Sequence, residues 1–216
     1  DAQHEVLPVR TGHRVSLTYN LLLQGATSPR DVAHYDVADA TTLLTRYFET
    51  AIPGRYGQPA TVPTRLAYLL DHSYTPRALA QGIGRLKGVD AERAAILAEA
   101  AHHAGCELVP ALADVHEVRN DEPHGRYRHE DDDYLIDAET VITHWRTPQG
   151  AVEQVSLGLD DDEVTTSTAT HRLRAYQVEH EGYMGNYGNT VDRWYHRGAL
   201  LVWPARLGFA NRAEVS

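Results

Sequence analysis

Apolar and polar positions along the chain change period several times, and each change predicts an element. Residues 1–24 hold two β-branched runs, 1–9 and 12–20, joined by a Thr11-Gly12 turn and ending in Leu21-Leu22-Leu23. That pattern predicts a strand pair. Turn formers such as Pro29, Pro53, Gly54 and Gly57 fill residues 25–62, which read as a connecting stretch. One short helix is predicted within it, at 38–51, because Leu43, Leu44, Tyr47 and Phe48 share a helical face.

Residues 63–216 alternate between the two periods. A strand is predicted over 64–74, then a helix capped by Asp90 and stopped by Gly105, with Ala94, Leu97, Ala98 and Ala101 on one face. His102 and His103 fall at its end, where either favours the C-terminal dipole. The runs 106–109 and 112–118 supply the next extended segment, so strand, helix and strand suggest a crossover, right-handed for a parallel pairing. Cys106 is expected as a buried strand residue.

Residues 119–133 are almost wholly polar and read as a surface loop. Segments 135–145 and 152–159 predict a hairpin around Pro148-Gln149-Gly150. An acidic turn, Asp160-Asp161-Asp162-Glu163, comes next. The glycines at 182, 185 and 188 lack a strand-to-helix setting, which predicts a packing loop rather than a phosphate cradle. A last strand is predicted at 199–203, ended by Pro204.

Composition narrows the function classes. The 216 residues suffice for one large domain or two small ones, and 42% hydrophobic content is that of a chain with a core. A formal net charge of −10 opposes partners held through phosphates, so no nucleic acid is expected. No apolar run reaches the length of a membrane span, so no membrane partner is expected either. Cys106 is the only cysteine, which excludes an internal disulfide and a cysteine-based zinc site. A cytoplasmic protein is expected.

Chemistry concentrates near the N-terminal end. His4 begins the first run, and Arg14 begins the second ten positions later. Ser16 shares a strand face with Arg14, because side chains alternate along a strand. Imidazole can ligate a metal, and a guanidinium beside a hydroxyl can grip a carboxylate. Two H-x-D strings also occur. His34-Tyr35-Asp36 follows its presumed partner, while His129 and Asp131 could join His180 and Arg193 but lie in a charged loop.

The words His4-Glu5-Val6-Leu7-Pro8-Val9 and Gly12-His13-Arg14-Val15-Ser16-Leu17-Thr18-Tyr19-Asn20 resemble the last core strands of the Fe(II)/2-oxoglutarate-dependent dioxygenases, in the prolyl-4-hydroxylase-like branch. Glu181-Gly182-Tyr183-Met184-Gly185-Asn186 and Trp194-Tyr195-His196-Arg197 are similar to the C-terminal part of the same proteins. The resemblance implies His4 as an iron ligand and Arg14 with Ser16 as the 2-oxoglutarate anchor. It implies Fe(II) as cofactor, 2-oxoglutarate and molecular oxygen as partners, and a hydroxylase acting on an unnamed substrate.

The implied fold is α+β: the last strands of a double-stranded β-helix, or jelly-roll, at 1–24, then a linker at 25–62 and a mixed α/β region at 63–216. The other two iron ligands, a His and a carboxylate, are expected upstream of Asp1. A fragment without activity of its own follows from that. A different class stays open beside it, in which 60–216 is an α+β binding or interaction module.

Overall fold

The computed structural model describes residues 34–53, 59–120, 134–181 and 190–208, together with the single residue Thr11. The chain divides into two units, Asp1–Arg30 and Asp31–Ser216; the elements below belong to the second. Its architecture is α+β, with helices on a seven-stranded mixed sheet.

The spine of that sheet is a pair of fifteen-residue strands, β2 (Cys106–Asn120) and β7 (Thr190–Pro204), antiparallel from Cys106 opposite Pro204 to Asn120 opposite Thr190. The sequence predicts one extended segment from 106–109 and 112–118, and β2 runs through Pro110 between them. Pro110 has no N–H to give, and it comes one residue before the ladder to the next strand begins at Ala111. For β7, only the apolar end was legible. The other end carries Asp192, Trp194 and His196, which break the apolar pattern without breaking the ladder.

Strand β1 (Leu66–Leu69) is shorter than predicted and runs antiparallel to β7 on the edge opposite β2. It is therefore parallel to β2, with β7 inserted between them. The crossover exists, but its strands are not neighbours. Strands β3 (Leu135–Arg146) and β4 (Val152–Leu159) form the predicted hairpin beside β2. Strand β5 (Val164–Thr166) pairs in parallel with β1, and β6 (Gln177–Glu181) pairs with the Thr190–Trp194 end of β7.

This order forces the sheet to curl. β4 and β5 lie at opposite ends of the path β4-β3-β2-β7-β1-β5, yet only residues 160–163 join them. Five residue steps reach roughly 18 Å at most, and a 3-10 turn at Asp161–Glu163 shortens that. On a flat sheet, five strand spacings would separate the two by about 24 Å. The apolar inner face accordingly gathers Leu157 of β4 with Ala67 and Leu69 of β1, around Tyr195, Leu201 and Trp203 of β7.

Two helices cover one half of the outer face. Helix α1 (His34–Glu49) matches the helix predicted at 38–51 and buries Val37, Leu44 and Phe48, while Leu43 turns away and is 65% exposed. Next comes the one-turn helix α2 (Pro76–Leu79), and then α3 (Gly88–His103), which packs Ala94, Leu97, Ala100 and Ala101 towards the sheet. Gly105, at φ +66°, ends α3 as its position predicts. Cys106 is half-buried where a buried residue was expected.

Candidate functional site

His4, Arg14 and Ser16 lie outside the described residues, as do His129 and Asp131. His34 and Asp36 stand in the first turn of α1. His180 pairs in register with Val191, and Arg193 with Val178, so both occupy the same face of neighbouring strands. No group of three or more His, Cys, Asp or Glu among the described residues could hold a metal ion.

What it does assemble begins with Asp90. The sequence reads Asp90 as the helix cap, but Lys87 occupies that place, because the chain enters α3 three residues earlier through Gly88 at φ +49°. Asp90 is consequently the third helical residue, 0% exposed, and its carboxylate faces the end of β1. It accepts from the Asp71 N–H at 2.9 Å and the His72 N–H at 3.1 Å. His72 Nδ1 at 2.8 Å and the Tyr74 hydroxyl at 2.9 Å complete the set.

An ionised carboxylate only accepts, so the His72 proton facing it sits on Nδ1. Burial pushes the Asp90 carboxyl up, but the four hydrogen bonds outweigh burial and hold it below the usual aspartate range. Burial, with Asp90 adding to it, raises the Tyr74 phenol well above its ordinary value. The Tyr74 hydroxyl also accepts from the Lys87 N–H at 3.1 Å, which closes the start of α3.

Asp71 extends this cluster. Arg93 Nη1 donates to its Oδ2 at 2.8 Å, and Arg197 Nη2 stands 3.8 Å from its Oδ1. Arg197 is 1% exposed. Its Nε donates to the Leu70 carbonyl at 2.8 Å, and its two terminal nitrogens donate to Thr170 Oγ1 and Thr166 Oγ1, each at 2.8 Å. Those partners come from the end of β1, from β5 and from the 170–172 turn. They meet where the edge of β7 passes from β1 to β6. Sequence reasoning read Arg197 only as part of a family word, since nothing local marks it as buried.

The other half of the same outer face is built differently. Asp114 and His116 of β2 alternate onto it, with Asp192, Trp194 and His196 of β7. His116 stacks on Trp194 with ring centroids 4.6 Å apart, and its Nε2 meets Asp192 Oδ1 at 2.7 Å, the carboxylate accepting. His196 stacks on Tyr176 at 3.8 Å and meets Asp114 Oδ1 through Nδ1 at 2.7 Å. Two parallel ring pairs, each fastened by one aspartate, therefore lie side by side. Glu139 of β3 is the register partner of His116, and Glu179 of β6 that of Asp192, which makes the surface acidic.

An apolar groove of about 660 Å³ separates α1 from β1 and β5, with Leu44, Tyr47, Leu66, Tyr68 and Val164 in its walls. The Tyr47 hydroxyl closes one end by donating to the Asp162 carbonyl at 2.8 Å. No helix among the described residues is long and apolar enough to cross a membrane. No protein-family model, curated protein or solved structure matches this chain.

Proposed function

We propose that this chain is part of an Fe(II)- and 2-oxoglutarate-dependent dioxygenase, a cytoplasmic hydroxylase, in which 1–24 contribute the last strands of a jelly-roll catalytic barrel. The observation that carries this reading is the joint spacing of His4, Arg14 and Ser16 within the words quoted above. The donor set suits the group. A neutral imidazole is a good iron ligand, and such an iron takes a second His and a carboxylate beside it. Bound iron supplies the oxygen-dependent redox chemistry, coupled to decarboxylation of 2-oxoglutarate.

The chain's own residues bind and orient. His4 offers one ring nitrogen to the metal. Arg14 holds the far carboxylate of 2-oxoglutarate through two parallel hydrogen bonds, and the Ser16 hydroxyl adds a third. His4→Ala in the complete protein abolishes 2-oxoglutarate turnover under this reading; unchanged turnover overturns the ligand assignment. Arg14→Ala chiefly raises the KM for 2-oxoglutarate, and an unaltered KM overturns the anchor.

A second reading concerns the described unit. Among the described residues, its helices and curled sheet close a core of their own, which favours an α+β binding module. Since Val37, Leu44 and Phe48 of α1 belong to that core, a segment 31–216 should melt cooperatively in calorimetry. A segment 60–216 should melt at lower temperature, and equal melting of the two would count against this boundary.

A further inference from the structure

We infer that the cleft between α3 and β2 is a binding site for a small carboxylic acid with an apolar body, its carboxylate gripped by Arg146. The inference gives the binding-module reading a ligand and stands apart from the iron site. Three observations carry it.

The first is the cavity. Strand β3 stops at Arg146, while β2 continues past Ala111 to Cys106. Helix α3 and the 3-10 turn at Ile83–Arg85 cover that step and leave a cavity of about 310 Å³. Its size is at the lower end of the range of small-molecule pockets. Ile83, Ala98, Ala101, Leu108 and Pro110 give it apolar walls.

The second is charge. Among the described residues, Arg146 and His102 line the cavity and no Asp or Glu does. Elsewhere the balance is the reverse, since 30 acidic residues outnumber 20 Lys and Arg in the chain. An anion entering the cavity therefore meets a full positive charge and has no carboxylate to displace. The negative end of the α3 dipole opposes it with about half a unit charge. Part of that end is already satisfied, because the Ala104 N–H donates to the Ala100 carbonyl at 2.9 Å and the Gly105 N–H to the His102 carbonyl at 3.2 Å.

The third is how Arg146 is held. Its Nε donates to the Ala80 carbonyl at 3.3 Å, and among the described residues Nη1 and Nη2 have no acceptor. Gly82 at φ +73° and Gly150 at φ +98° flank the guanidinium; a Cβ on them would lie 3.9 Å from Cζ and 3.0 Å from Nη2 respectively. The plane is thus set before a ligand arrives, and its two terminal nitrogens are left to form parallel hydrogen bonds to one carboxylate. Inorganic phosphate satisfies that fork but not the apolar walls, which select an acid with a short hydrocarbon body.

The test titrates the isotope-labelled full chain with butanoate and follows the amide chemical shifts. Saturable shifts should map to Ile83, residues 98–102 and Leu108, with a Kd of about 1 mM or below. Each methylene added from acetate to butanoate should tighten binding about threefold. Butanamide, which lacks the charge, should bind at least tenfold more weakly, and so should inorganic phosphate. Arg146→Gln should lose at least tenfold, and Arg146→Lys nearly as much, because an ammonium keeps the charge without the fork. Ala98→Leu fills the cavity from α3 and leaves Arg146 in place; it should abolish binding while circular dichroism matches the unsubstituted chain. His102→Gln should lose a smaller factor.

No saturable shifts with butanoate would mean that Arg146 only latches α2 to β3, and the inference falls. Full affinity in Arg146→Lys and Ala98→Leu, or shifts that map away from the cavity, overturns the site. Phosphate binding as tightly as butanoate overturns the ligand class. None of these outcomes depends on the melting of segment 31–216 or on 2-oxoglutarate turnover in the His4 and Arg14 variants.

Discussion

One strand, β7, crosses two different environments on the same face, and β2 crosses them beside it. From Gly198 to Pro204, its outward positions are Gly198, Leu200, Val202 and Pro204, facing Leu112, Pro110, Leu108 and Cys106 of β2, under the helices. From Thr190 to His196, the outward positions are Thr190, Asp192, Trp194 and His196, facing Asn120, Val118, His116 and Asp114, with no helix of the described residues above them. The ladder of backbone hydrogen bonds is continuous. What changes is who supplies the other side of the surface. Under the helices, apolar side chains leave water, and each fully buried one contributes roughly 2 kcal/mol. Beyond them, polar groups must satisfy one another, and they do so through ring stacks and His–Asp pairs.

The boundary between the halves is itself constructed. A Cβ at Gly198 would fall 2.5 Å from Tyr74 Cδ2 and 3.1 Å from Leu70 Cδ1. The Tyr74 ring therefore lies directly on the strand, held there by Asp90 from α3. Arg197, the preceding residue, points to the opposite face and ties three segments together. The covered half thus depends on buried polar groups at its rim as well as on apolar contact.

The comparison can be broken most severely at Asp90. Asp90→Ala leaves two backbone amides, His72 and Tyr74 without their acceptor, and should cost about 3–5 kcal/mol by chemical denaturation. A cost below 1 kcal/mol would mean that the cluster does not hold the helix to β1. Because the folded Asp90 carboxyl lies below its ordinary value of about 3.9, its contribution is full above that pH and is lost as pH falls through the folded value. Asp90→Asn should flatten that part of the acid limb, and an unchanged limb would assign acid lability elsewhere.

Leu200 and Trp194 test the two halves at like positions of one strand. Leu200→Ala should cost about 2–5 kcal/mol, since its site is sealed by Leu70 and Ala94. Gly198→Ala drives a methyl into the Tyr74 ring and should cost about 1–3 kcal/mol, and less than that when it is added to a Tyr74→Leu background in which the ring is gone. Trp194→Ala removes a half-exposed ring and should cost about 1 kcal/mol. If Trp194→Ala destabilised as much as Leu200→Ala, the bare half would be core, and its surface role would be withdrawn.

The two long helices and the hairpin were legible because their cues are local. Gly105 stops α3 whatever packs on it, and Pro148-Gln149-Gly150 returns the chain between β3 and β4 with no help from elsewhere. The full length of β7 was not legible. Its polar end alternates correctly, but alternation of Asp, Trp and His reads as a loop until β2 and β6 are known to flank it. Asp90 carried a strong helix-start signal, yet the signal named the wrong partner. Its carboxylate serves the amides of Asp71 and His72 rather than those of its own helix.

By itself, the sequence determined the α+β class, the order of most elements and the candidate chemistry of His4, Arg14 and Ser16, because periodicity and short motifs act within a few residues. The tertiary structure decided the rest. It inserted β7 between β1 and β2, which share a crossover, and curled the sheet because four residues must join its ends. It buried Arg197 and Asp90 at the seam, and set the described helices over only one half of a single strand pair. Each of these depends on which distant segments lie side by side, a long-range pairing that no local window of residues specifies.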